Sequence, residues 1–225
     1  GESKQEGPIS RGICTSIFRM MLSMKPAFYM MNISQRIQTS YPLAVAELKG
    51  YGAGVATKVL LDAQFKDSKI FFDAHKNLKK TALIDVVRNA TYLKPIEKRI
   101  ILDMVFKKDI GPGMSKDIMG GKGNKALRFL DAMGQKSETS NRLHSTLMAL
   151  KIAEMKGITD PAAIGQFARK FTGQSQFIYS KATRPQMFRG NVLSVAGVFK
   201  TFQLNYFNLL KELYGRDKKA FASAI

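Results

Sequence analysis

Residues 192–214 set the strongest constraint on what this chain can fold into. Val195, Val198, Phe199, Phe202, Tyr206, Leu209, Leu210 and Leu213 recur at the i, i+3, i+4, i+7 spacing of one helical face, a pattern incompatible with the two-residue alternation of a strand. The segment has to be a helix with a broad apolar side. Just upstream, Arg184-Pro185-Gln186-Met187-Phe188-Arg189-Gly190 combines a proline with a glycine. The proline removes a backbone donor and pushes the residues before it toward extended geometry, and the glycine frees the chain to turn. A joint at 184–190 and a long apolar helix over about 191–215 are predicted.

An apolar stripe is most simply the core side of a globular helix. The alternative is a face that meets another subunit or a bilayer. Lys200 is the one charge between Val192 and Leu210. Even so, Thr201, Gln203, Asn205 and Asn208 interrupt the roughly 18 or more apolar residues that a spanning helix needs. A permanent lipid-exposed span is not expected; conditional insertion and an oligomer seam both stay open.

The rest of the chain reads as helices separated by Gly/Pro joints, with no convincing set of alternating strands. Polar residues 1–12 form a lead-in, followed by a Met-rich helix over 13–24, a second helix from Ala27 to about Gln38, and a kink at Pro42. The Met20, Met21, Met24, Met30 and Met31 cluster suits adaptable packing rather than a cofactor. A glycine-rich turn at 49–54 leads into a helix over 55–65. Asp67 or Ser68 is positioned to cap a further helix from Ile70 to about Tyr92. Pro95 suits a helix first turn, with that helix running to about Lys108. Residues 111–124 are the most loop-like; a hinge there divides an N-terminal half, 1–110, from a C-terminal half, 125–225, with a basic phosphate-touching loop as the alternative. In the second half, helices are expected over 125–133, from 137 to about Lys156 with Gly157 as the stop, and from Pro161 to about Phe171 behind an Asp160 cap. The fold class is mainly α, an elongated or bundle-like multi-helix assembly with little or no β structure.

Charge narrows the partners. Thirty-six Lys and Arg against seventeen Asp and Glu give +19 and a pI near 10.1, a balance that favours nucleic acid or an anionic membrane. In residues 161–225, ten Lys and Arg against two acids leave +8. No zinc finger, RNA-recognition signature or basic zipper is present, so non-specific phosphate attraction fits better than base reading.

Catalytic patterns are missing from the sequence. Cys14 stands alone, which excludes an internal disulfide and cysteine metal sites and fits synthesis in a reducing cytoplasm. His75 and His144 each lack a second histidine at i+3 or i+4. Gly121-Lys122 is not followed by Ser or Thr, so the phosphate-binding loop pattern fails, and Gly50, Gly52 and Gly54 do not follow a strand as a dinucleotide fingerprint must. Glu138 and Arg142 have the spacing of an intrahelical ion pair. A carboxylate pair assembled from distant residues stays open, since that geometry is invisible without a fold. No catalytic residue, cofactor or metal is assigned. The start at Gly1 rather than Met fits a piece of something longer.

Several stretches, taken together and in order, resemble the C-terminal helical region of the large internal virion (DNA-ejection) and polyvalent proteins of tailed bacteriophages. They are Asn32-Ile33-Ser34 to Tyr41-Pro42-Leu43-Ala44, Tyr51-Gly52, Ser137-Glu138 with Asn141-Arg142, Ala149 to Gly157, and Gln176-Phe177-Ile178-Tyr179. The Arg184-Pro185, Phe188-Arg189-Gly190 and Phe199-Lys200-Thr201-Phe202 succession completes them. The resemblance covers roughly residues 26–214 but not the 70–130 region. It implies a homo-oligomeric, non-enzymatic module packaged in the capsid interior with other phage ejection proteins. Expelled with the genome, such a module enters the host envelope, in the periplasm or inner membrane, as part of a conduit for double-stranded DNA. The alternative is a DNA-binding or docking module of a virion-packaged enzyme whose catalytic domain lies elsewhere in a longer chain. On the first reading the candidate phosphate contacts are Arg184, Arg189, Lys200, Arg216, Lys218 and Lys219; the second predicts a compact monomer with the apolar helix buried in its own fold. The candidate packing or subunit face is Phe199, Phe202, Tyr206, Phe207 and Leu210.

Overall fold

The computed structural model describes residues 34, 36–52, 54–76, 83–106, 125–176 and 193–225, with the side chains of 75–76, 125–136 and 193–202 outside that description. In chain order the helices are α1 (Tyr41–Glu47), α2 (Val55–Lys76), α3 (Leu83–Asn89), α4 (Pro95–Ile101), α5 (Lys125–Met155), α6 (Pro161–Gln176), α7 (Leu193–Arg216) and α8 (Lys218–Ala222). Two π-helical segments, Arg36–Ser40 and Leu102–Phe106, lead into α1 and continue α4. There is no strand among the described residues, so the chain is mainly α. The Met-rich helix over 13–24, the hinge at 111–124 and the joint at 184–190 lie outside the described residues.

Local signals set several boundaries. Pro95 opens α4 while the Lys94 amide donates to the Glu97 carboxylate at 2.7 Å, using a donor that the first turn leaves without a helical partner. Asp160 caps α6 by accepting from the Ala163 amide at 2.8 Å, with Pro161 behind it. At the end of α5, Gly157 adopts φ +69°; its amide bonds the Glu154 carbonyl and the Ile158 amide reaches the Ala153 carbonyl, each at 3.0 Å. That is the paired closure a left-handed residue makes after a helix.

Two expected breaks are absent. α2 runs without interruption past Asp67, because the Asp67 carboxylate turns inward to a guanidinium instead of capping a new helix. Likewise α5 runs continuously through 134–140, and the Ser140 hydroxyl donates to the same Asp67 carboxylate at 2.9 Å. A short polar side chain offers the backbone an alternative to the helix only when it has no better partner, and both of these do.

Helix α5 is the centre of the packing. Every side chain from Leu143 to Leu150 is buried, so this stretch is enclosed on all faces. α2, α4, α6, the π segments and α1 surround it. Leu43, Ile70, Ile101 and Met104 meet Leu143, Met148, Ile152, Phe171 and Leu213 in one cluster that draws on both sides of 111–124. Each fully buried aliphatic or aromatic side chain contributes about 1.5–3 kcal/mol relative to exposure.

The enclosed stretch also carries polar groups, and their partners come from distant elements. Arg36 on the first π segment is 7% exposed; its Nε donates to Asn141 Oδ1 at 2.9 Å, and its Nη1 to Gln64 Oε1 at 2.7 Å and Asp67 Oδ2 at 2.9 Å. Its Nη2 donates to Ser140 Oγ. Further along, the Ser40 and Ser145 hydroxyls lie 2.9 Å apart, Gln176 Nε2 donates to Ser145 at 2.8 Å, and Thr39 donates to the Ser175 carbonyl at 2.8 Å. Burial pushes the Asp67 carboxyl upward despite the opposing Arg36 charge, and Oδ1 has no hydrogen-bond partner.

His144 completes the belt. Fully buried, with Nε2 3.4 Å from the Leu60 carbonyl and Nδ1 without a partner, it is lowered to about 3 by burial and then by the nearby Arg36 charge. A histidine whose folded value lies below its unfolded one gains protons on unfolding. Stability therefore falls as pH drops below about 6.5 toward the folded value. Between pH 7 and 5 the expected loss from this residue is about 2 kcal/mol. Urea melts at the two pH values measure it, and His144→Leu should flatten the difference.

Breaking the ion pair is expected to be costly in a specific way. Arg36→Met leaves a buried carboxylate without its cation and should lower stability by about 3–5 kcal/mol. The double variant Arg36→Met/Asp67→Leu should recover much of that, as read by chemical denaturation.

Candidate functional site

Helix α7 meets the core through Leu209 and Leu213, with Tyr206 and Leu210 half-buried against the same cluster. The Tyr206 hydroxyl donates to the Ala224 carbonyl and ties α7 to the end of the chain. One helical step of about 100° separates neighbouring residues, so Phe207 is turned about a quarter of the way round from Tyr206, out of the buried face, and is 67% exposed. The five residues expected on one face are therefore not one face: Tyr206 and Leu210 turn inward, Phe207 outward. Phe199 and Phe202 lie within α7 but their side chains are outside the described residues, as is that of Lys200.

The outward side of α7 is a stripe of Leu204, Phe207, Lys211 and Tyr214, all exposed. Tyr214 continues it onto α8 through an edge-on contact with Phe221, ring centroids 5.3 Å apart. α8 starts behind Asp217, which accepts from the Lys219 amide at 2.8 Å, and presents Lys218 and Lys219 to solvent. Lys211 was not among the residues singled out in the sequence. Its spacing from Phe207 and Tyr214, four and three residues, would have placed it there had the helix orientation been known.

Arg216, expected as a phosphate contact, is a third exposed and is paired with acids of its own fold. Its guanidinium pairs with Glu47 on α1 at 2.5 Å and with Glu212 at 3.2 Å, while Lys156 at the end of α5 holds the other Glu47 oxygen. Burial alone would raise the Glu47 carboxyl, but the hydrogen bonds and charges of Lys156 and Arg216 outweigh it and hold the group below its ordinary range. Arg216 is raised in turn, chiefly by the Glu47 bond. The result is a three-way clamp joining the ends of α1, α5 and α7. Beside it, Gln174 on α6 donates to Glu212 at 3.0 Å, which sets α6 against α7 with the exposed Lys170 one turn away.

Arg184 and Arg189 lie outside the described residues, so of the proposed phosphate contacts Lys218 and Lys219 are the two that the structure places on an outward surface. Among the described residues no group of three or more His, Cys, Asp or Glu is arranged to hold a metal ion. No described helix is long and apolar enough to cross a membrane. The chain matches no protein-family profile, no curated protein and no solved structure.

The clamp makes a prediction about coupling. Arg216 is a third exposed, so Arg216→Ala should cost no more than about 1 kcal/mol. Because Arg216 and Lys156 share one carboxylate, Arg216→Ala and Glu47→Gln should combine non-additively in a double-mutant cycle of urea midpoints.

Proposed function

We propose that this chain is a structural module of the internal virion protein kind, expelled with a phage genome and assembling with other copies beside double-stranded DNA in the host envelope. The observation that carries this reading is the outer stripe of α7 and α8. There Lys211, Lys218 and Lys219 alternate with Phe207 and Tyr214 at the most basic end of a +19 chain. Cations spaced along a helix neutralise phosphates without reading bases, and binding of that kind is sequence-tolerant. The resemblance described above supplies the setting, and the absence of a local catalytic constellation in the sequence agrees with a role in assembly rather than turnover.

A second reading is favoured by one feature. The inner side of α7 is buried within the chain's own fold through Leu209 and Leu213, as suits a self-sufficient DNA-binding or docking module attached to an enzyme elsewhere in a longer polypeptide.

Fluorescence anisotropy with duplex DNA of two unrelated sequences tests the phosphate claim. Affinity should be similar for both and fall with salt. The triple variant Lys211→Glu/Lys218→Glu/Lys219→Glu should weaken binding and reduce the slope of log K against log salt by about 3, since each neutralised phosphate contributes about 0.9. Arg216→Ala should change that slope far less than any of the three lysines. A salt-independent affinity, or an unchanged slope in the triple variant, rejects the assignment.

A further inference from the structure

Helix α2 buries one side through Ala56, Val59, Ala63 and Ile70, but its outer side is apolar too. Leu61, Phe65 and Phe72 are 60%, 69% and 65% exposed, and exposed Ser68 lies between the two rings. These four residues are spaced 4, 3 and 4, so they form one seam, since alternating steps of three and four hold a single side of a helix. With each aromatic side chain offering about 200 Å², the seam presents on the order of 300 Å² of apolar surface, enough to mark a contact site.

We propose that this seam pairs with the same seam of a second copy, the two α2 helices running antiparallel about a two-fold axis level with Lys66 and Asp67. Three observations favour a second copy over another occupant. First, the spacing reads the same in both directions, so the antiparallel register that sets Leu61 against the partner's Phe72 also sets Phe65 over the partner's Ser68. A large side chain then faces a small one, and an isologous contact forms from one surface. Second, Asp62 and Lys69 lie on the same flank of the seam, seven residues apart, and this register brings Asp62 to the partner's Lys69 twice. Asp62 is 3.5 Å from Lys66 within its own helix and its side chain is 41% exposed, while Lys69 rests over the Tyr92 ring at 4.2 Å. Both are partly exposed, so a facing charge can approach them. Third, the other flank carries Thr57, Gln64 and Phe71, so no like charges meet there. A parallel pairing would instead set the exposed Lys58 against the partner's Lys58. The pairing stands on α2 alone and does not rest on the DNA reading.

A single helix pair buries less than the standard ~1,600 Å², which makes a micromolar dimer the expectation. Sedimentation equilibrium of the full 225-residue chain without DNA should show it. Phe65→Glu should weaken dimerisation at least tenfold with the helical circular dichroism unchanged, because the ring is already outside the core. Asp62→Lys should weaken it several-fold, and Asp62→Lys/Lys69→Asp should restore it, a recovery that a merely structural role for either residue would not produce. Spin labels at Thr57→Cys, with Cys14→Ser, should lie about 30 Å apart in the antiparallel pair, from 19 residues of 1.5 Å rise, against about 10 Å if the helices ran parallel. The lysine variants of α7 and α8 should dimerise like the parent, so a failure of the DNA reading leaves this result standing. A chain monomeric to about 1 mM, a dimer indifferent to Phe65→Glu, or a monomer that sediments with anionic vesicles through Phe65 would each overturn the proposal, the last by assigning the seam to a bilayer.

Discussion

The fold depends on the partners given to the polar belt of α5, whose stretch from Leu143 to Leu150 has no wet side. Between Asn141 and Thr146 helix α5 places Asn141, His144, Ser145 and Thr146 in the interior, where an unpaired donor or acceptor costs about 1–3 kcal/mol. The Arg36 guanidinium answers the upper part of that belt by bonding Asn141 and Ser140 on α5 and Gln64 and Asp67 on α2. The Ser40 and Thr172 hydroxyls answer Ser145 and Thr146, while His144 turns Nε2 to the Leu60 carbonyl and leaves Nδ1 without a partner. Such a network adds little net stability over a greasy core of the same volume, because desolvation of the ions offsets their attraction. Its effect is on register: Arg36 can reach all four partners in one arrangement of the π segment, α2 and α5.

The same logic governs the distribution of charge. Acidic residues are scarce, and several are held by more than one cation. Glu47 takes Lys156 and Arg216, and Glu154 takes Lys94 and Lys151, the bond from Lys94 leading in lowering it to about 2. Glu97 pairs with Lys66 at 3.2 Å while serving its own helix start. While Glu47, Glu97 and Glu154 join elements, lysines face outward at Lys58, Lys170, Lys211, Lys218 and Lys219 and make the described exterior basic. The two outward apolar stripes, on α2 and α7, interrupt this exterior at separate places.

Much of the architecture was legible. Helical periodicity, the Asp160-Pro161 start, the Gly157 stop and the Pro95 first turn each act within a few residues, so they survive in any fold that tolerates them. The breaks expected at Asp67 and between 133 and 137 did not appear, since whether a short polar residue caps a helix or stays inside one depends on what stands opposite it, here Arg36. The same limit applies to the α7 face. The stripe template put Tyr206 and Leu210 together correctly, yet Phe207, which is off that template, is turned out to solvent. His144 read as an ordinary lone histidine, and nothing local reveals that Leu60 and Arg36 enclose it.

The amino-acid sequence alone determined the helical class, the strong positive charge and several helix ends, because propensity, net charge and capping are properties of neighbouring residues. Only the tertiary structure decided which side of each helix is covered, that Arg216 serves Glu47 while Lys211 faces water, and that the polar centre of α5 is dry. Those outcomes hang on contacts between residues up to 169 positions apart. The energy of such a contact is set by what the folded neighbours leave exposed, a quantity that no local window of sequence contains.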